Sequence, residues 1–145
     1  MTKYINLHTH KFSNLLDVIE VVNQYPWEFD ASIPNYSIGI HPWYIDENRL
    51  ESDLEIIKEK LQLSECLALG ECGLDKRIEI PLDLQISVFK KQLEIVKQTK
   101  KPIVLHFKPE SHHEGIATYF REYLRDFMKK WMAENKKPDG SDYDI

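Results

Sequence analysis

Four short apolar runs in the first 107 residues each end in a side chain able to bind a metal or move a proton, and this coincidence limits the fold more than any other feature. Residues 4–8 run into His8 and His10, residues 36–40 into His41, residues 66–71 into Glu71, and residues 102–106 into His106. Every histidine before residue 107 sits at such an end. Between the runs lie longer stretches with apolar residues at helical spacing. The first covers 14–25, carries Leu15, Leu16, Val18, Ile19, Val21 and Val22, and stops at Pro26. The second covers about 47–61, with Leu50, Leu54, Ile57 and Leu61 on one face. The third opens at Pro81 and carries Leu84, Val88, Leu93 and Val96 to about residue 99. Strands alternating with helices predict an α/β fold, a parallel sheet with right-handed crossovers, and the apolar strand interiors suit strands covered on both faces. In such sheets the site is built at the C-terminal edge of the strands. The pattern therefore reads as one site assembled from four loops.

The chemistry follows from the residue types. Two histidines at i and i+2 of an extended segment point to the same side, so His8 and His10 can share one cation. Imidazole suits zinc and its neighbours, while the Glu71 carboxylate adds an anionic donor able to bridge two ions and His106 a ligand for a second. Two divalent ions, whether zinc, manganese or magnesium, would activate water and hold the oxygens of a phosphoester. His41, placed before Pro42, either orients its loop or meets substrate. Cys66 and Cys72 read as small buried apolar residues rather than thiolate ligands.

Composition narrows the partners. A net charge of −5 gives no general attraction to nucleic acid or anionic lipid, so a DNA substrate would be met through bound cations and local charges. Lys11, Lys76 and Arg77 are the nearest such charges, although a solvated surface is their plainer reading. With 42% hydrophobic and 30% charged residues the chain is an ordinary globular sequence, not a disordered one. Two cysteines make no disulfide framework, no run approaches the roughly 20 apolar residues of a membrane span, and the N-terminus lacks a signal-peptide pattern. The expected location is the cytoplasm, with no membrane partner.

Five motifs carry a family likeness: His8-Thr9-His10; Gly39-Ile40-His41-Pro42-Trp43; Leu69-Gly70-Glu71-Cys72-Gly73-Leu74-Asp75; Gln85 with Phe89, Gln92 and Leu93; and Lys101-Pro102-Ile103-Val104-Leu105-His106. In order and spacing they resemble the TatD family of metal-dependent hydrolases over residues 1–107. The resemblance implies a TIM-barrel fold, two divalent metals and hydrolysis of ester bonds, typically as a DNase. It further implies that His8 and His10 bind the first metal, that Glu71 bridges, and that His106 binds the second. The family also uses a further His and a late Asp that activates water, and no motif for that Asp follows Phe107. A whole barrel takes about 250 residues, so residues 1–107 correspond to about half of one.

The rest of the chain reads differently. His112 and His113 fall in a polar stretch and are expected to be solvated loop residues. Residues 115–134 predict one helix, with Ile116, Phe120, Tyr123, Leu124, Phe127, Met128 and Trp131 on a wide apolar face. From about Lys108 the tail, with the segments 114–125 and 136–141, resembles the interdomain region of class A penicillin-binding proteins, none of whose catalytic motifs is present. The expectation is a partial barrel joined near residue 107 to a helical tail of separate origin that forms no domain of its own. Half a barrel leaves open strand edges, so a homo-oligomer or a poorly soluble protein is expected. Hydrolysis would be weakened by the missing carboxylate, and the alternative is a silent fragment that still binds metal.

Overall fold

The run Val18-Ile19-Glu20-Val21-Val22 forms a strand, where the apolar spacing over 14–25 predicted a helix. β-Branched side chains lose rotamer freedom in a helix and pack well on a pleated surface. Here both faces of the run are used: Glu20, Val21, Val22, Asn23 and Gln24 are consecutive and all buried, which a helix with one apolar stripe could not achieve. A short apolar run fits either period, so packing decides.

The computed structural model describes residues 4–108, 114–136 and 139–142; His112 and His113 lie outside these residues. Five strands, β1 (Tyr4–Thr9), β2 (Val18–Gln24), β3 (Tyr36–Ile38), β4 (Cys66–Asp75) and β5 (Ile103–Lys108), form one sheet in sequence order. Every neighbouring pair is parallel. Helix α1 (Leu50–Lys60) connects β3 to β4, and α2 (Leu82–Val96) connects β4 to β5. Between β1 and β2, and between β2 and β3, there is no α-helix, only loops with a short 3-10 turn at Pro26–Glu28. A second such turn, Pro42–Tyr44, follows β3, and α3 (Glu114–Glu134) closes the order. The architecture is a partial TIM barrel with a C-terminal helix.

The core lies between the β3–β5 side of the sheet and the helices. Ile38, Leu69 and Leu74 from the strands meet Ile57 and Leu61 from the α1 end and Val88, Phe89, Leu93 and Val96 from α2. Full burial of each such side chain contributes about 1.5–3 kcal/mol. The last turns of α3 join the same core: Trp131 and Met132 are buried, Phe127 and Met128 pack against it, and the Phe127 ring lies 6.0 Å from that of Phe89. β1, by contrast, has no helix packed over it among the described residues. Tyr4, Ile5 and Leu7 are 60–73% exposed.

Candidate metal centre

The C-terminal ends of β1, β3, β4 and β5 bring His8, His10, His41, Glu71 and His106 to one rim. Two glycines make the β4 end possible. A Cβ on Gly73 (φ +144°) would stand 2.0 Å from the His106 carbonyl oxygen, and one on Gly70 (φ +135°) would stand 2.4 Å from the Val104 oxygen. Only residues without a side chain let β4 lie this close to β5 on either side of Glu71. In the resulting register Gly73 pairs with His106, so the β5 histidine is set beside the β4 carboxylate.

Glu71 divides its two oxygens. Oε2 lies 3.4 Å from His8 Nε2 and 3.5 Å from His10 Nε2, while Oε1 lies 3.3 Å from His106 Nδ1. Two clusters of ligand-type atoms result: His8, His10 and Glu71 on the open side, and His41, Glu71 and His106 on the buried side. The residues singled out from the sequence stand together in these two clusters. His41 stands nearer to the centre than a purely loop-orienting residue would, with its ring 4.1 Å from that of His106.

Whether these residues suit a metal can be tested on His106. Its Nε2 faces Asp75 Oδ2 at 3.1 Å, and an ionised carboxylate can only accept, so Nε2 carries the proton. The Nδ1 lone pair then faces a second acceptor, Glu71 Oε1. Two acceptors in contact require a positive charge between them, supplied by a proton or a cation. Ligating histidines characteristically donate their other N–H to a carboxylate, as His106 does to Asp75, and the donor set of imidazoles plus carboxylate suits divalent transition ions. The residues fit.

Asp75, which the sequence shows only as the last residue of a motif, is the buttress of the site. It is fully buried. Burial raises its carboxyl, but hydrogen bonds from Arg77, Trp43 and His106 outweigh that and hold it well below the usual carboxylate range. The Trp43 indole N–H donates to Oδ2 at 2.7 Å and the Arg77 backbone N–H to Oδ1 at 2.9 Å. Arg77, read as solvated surface, also sets its guanidinium against Oδ1. Asn23 is a second residue sequence reasoning missed: from β2 its Oδ1 accepts the Glu71 backbone N–H. No local pattern could have revealed a contact between residues so far apart along the chain.

Helix α2 holds two of the strand ends. Gln92 accepts the Ile40 N–H at Oε1 and donates Nε2 to the Ile40 carbonyl, at 2.8 and 3.2 Å. Gln85 does the same for Asp75, at 2.8 and 3.0 Å. The residues that precede His41 and buttress His106 are therefore fixed by one helix. His41 itself is 5% exposed, and burial, followed by the neighbouring His106, pushes its pKa down to about 4. Its Nδ1 accepts the Trp43 backbone N–H at 3.1 Å. Cys72 is buried, and desolvation raises its thiol far above neutrality, which leaves no thiolate there for a metal.

Beside the centre lies an aromatic group. Tyr25 stacks on Trp27 with centroids 4.9 Å apart, and Tyr44 meets both edge-on at 5.2 and 5.9 Å. Trp43 and Tyr44 are 48% and 42% exposed. Arg49 fastens the group, lying 4.1 Å above the Trp27 ring and donating to the Tyr44 carbonyl.

With that geometry in hand, similarity to known proteins is informative. A model of the family described as TatD related DNase matches residues 2–136, which includes much of the tail. An uncharacterized metal-dependent hydrolase, YabD of Bacillus subtilis (strain 168), is 31% identical over 106 residues, covering 72% of this chain and 38% of that protein. A 3'-5' ssDNA/RNA exonuclease TatD of Rahnella sp. (strain Y9602) is 33% identical over 89 residues, covering 61% of this chain and 33% of that one. The crystal structure of YJJV, a TatD homolog from Escherichia coli K12, superposes with a TM-score of 0.58 at 19% identity, over 83% of this chain and 56% of that one. The chain spans little more than a third of the length of the curated relatives it matches. On the family match and the shared partial barrel, the chain belongs to the TatD related DNase family.

Proposed function

We propose that the protein is a divalent-metal-dependent hydrolase of phosphodiesters in nucleic acid, with His8, His10, Glu71 and His106 holding two cations. The observation that carries this reading is the division of Glu71, one oxygen toward His8 and His10 and the other toward His106. Cations in those positions supply water activation and charge neutralisation at a phosphoryl group. The chain's own residues do the placing: Asp75 orients His106, Asn23 fixes the Glu71 backbone, and Gln85 and Gln92 hold the strand ends. The aromatic group supports a nucleic-acid substrate with unpaired bases, because stacking is worth about 1–3 kcal/mol per base and needs no net positive charge. That suits a chain of net charge −5. Two similar proteins are named as 3'-5' ssDNA/RNA exonucleases.

The test is a labelled single-stranded oligonucleotide incubated with Mg²⁺, Mn²⁺ or Zn²⁺, with His8→Ala/His10→Ala and chelator as controls. Turnover that disappears in both controls supports the hydrolase. Turnover that survives the double substitution points to a contaminating nuclease and removes the proposal. Metal uptake without turnover supports the silent metal-binding reading.

The exposed β1 edge favours association of two copies, and a cooperative, monomeric species by size-exclusion chromatography would refute it. Two free buried cysteines and the lack, among the described residues, of a helix able to cross a membrane favour the cytoplasm. The separate origin of the tail is opposed by the family match through residue 136, and sequencing across residue 107 in the source genome decides it.

A further inference from the structure

His41 and His106 stand ring against ring, yet their anchored nitrogens are tied to opposite kinds of group. His106 Nε2 faces Asp75 Oδ2, an acceptor. His41 Nδ1 faces the backbone N–H of Trp43, a donor, in the bond that caps the 3-10 turn Pro42–Tyr44. A ring nitrogen that accepts a hydrogen bond carries a lone pair, and in neutral imidazole the other nitrogen then carries the proton. His106 is thus protonated outward, toward Asp75, and turns Nδ1 toward Glu71, where a cation would take its lone pair. His41 is bare toward its own backbone and protonated at Nε2.

Distance alone would make His41 a third ligand beside Glu71 and His106, since ligand-type atoms of the three lie within 4.8 Å of one another. The hydrogen bonding argues against it. Metal binding through Nε2 would force the proton onto Nδ1, where it would collide with the Trp43 N–H. Binding through Nδ1 would break the cap. Meanwhile, among the described residues, no protein acceptor receives an N–H from His41 Nε2. A buried donor at the edge of a cluster of cation ligands is suited to an oxyanion.

We propose that His41 is not a metal ligand but a neutral N–H donor that binds a phosphoryl oxygen of the substrate beside the metal centre. The neighbouring histidines then divide the work: His106 presents a lone pair to a cation and His41 a proton to an anion. This rests on the phosphodiester reading above, and the experiment separates the two.

The full chain, with ¹⁵N-labelled histidine, is observed by ¹H–¹⁵N spectroscopy without metal and after Zn²⁺ addition. His41 is expected to keep its Nε2 proton in both states while the Nδ1 signal of His106 moves on zinc binding. Loss of the His41 Nε2 proton on adding zinc would overturn the proposal. Inorganic phosphate is then titrated onto the zinc-loaded protein. His41→Asn keeps an oxygen able to cap the turn but has no distal donor. It is expected to bind the same number of zinc ions and to weaken phosphate about tenfold, with His41→Gln recovering most of that loss. A missing zinc equivalent, unchanged phosphate affinity, or equal loss in both variants would each overturn it. If the wild type takes up no zinc, the phosphodiester reading falls by itself. The metal-free spectrum then still decides the tautomer, and a bare Nε2 refutes the assignment.

Discussion

β1 and β4 contribute to the same centre from opposite conditions. β4 lies between two strands under α2, its Glu71 side chain is 16% exposed, and its Asp75 is fully buried. β1 is an edge strand with no covering helix among the described residues, and its His8 and His10 side chains are 35% and 56% exposed. The ends that carry the histidines and Glu71 nonetheless converge, because parallel pairing places every strand's C-terminal end on one rim whatever covers its middle. Topology positions the site, and packing decides how firmly each part of it is held. The β4–β5 half is preorganised by buried hydrogen bonds, whereas the β1 half depends on sheet pairing and on whatever the two histidines bind.

The sharpest challenge to this contrast is stability. Phe89→Ala, at a fully buried position, is expected to cost about 3–5 kcal/mol by urea denaturation, and Leu7→Ala on β1 less than about 0.5 kcal/mol. Similar values for the two would erase the distinction. Next in size is the cation. Zinc at 100 times its Kd should stabilise the fold by about 2.7 kcal/mol, with the gain in amide-exchange protection concentrated in β1 and lost in His8→Ala/His10→Ala. Uniform protection across the sheet would contradict it. Asp75→Asn should weaken zinc binding about 10–100-fold by calorimetry while leaving the His8 and His10 signals in place. An effect on the β1 histidines equal to that on His106 would show that the halves are not separate.

Gentlest per step of the variable changed is a pH slope. In the metal-free protein, His41 refuses a proton down to about pH 4, whereas the unfolded chain accepts it near 6.5. Its contribution is present in full above pH 6.5 and is lost as the pH falls toward 4, at up to about 1.4 kcal/mol per pH unit. Asp75, held low, begins to lose its contribution as the pH falls through the ordinary carboxylate range, where the unfolded chain takes up a proton that the folded one still refuses. His41→Asn should flatten the upper part of the melting-temperature profile and leave the acid limb. An unchanged upper slope would mean that burial of His41 does not govern it.

Much of this was legible beforehand because it depends on local pattern. The strands ending near His8, His41 and His106 and the two helices over 47–61 and 81–99 are set by apolar spacing and by Pro81, and each stands within a few residues of expectation. The strand expected to end at Glu71 runs on to Asp75, because Gly70 and Gly73 allow a close approach to β5 that keeps the pairing going. β2 was misread because Val18, Ile19, Val21 and Val22 satisfy a helical stripe as readily as a two-faced strand. The ligand-type residues could be named since their chemistry is intrinsic. Asp75, Asn23, Tyr25 and Trp27 could not, because their roles arise only from what the fold sets beside them.

The two glutamines of α2 have a consequence for how the molecule responds to perturbation. Each seizes both the amide and the carbonyl of a strand-end residue, Ile40 in one case and Asp75 in the other, so the helix is a yoke across two neighbouring loops. A slide or tilt of that yoke would shift the oxyanion donor and the histidine's carboxylate partner in concert. Damage on its far, solvent-facing side would then register at the rim as a single coordinated displacement.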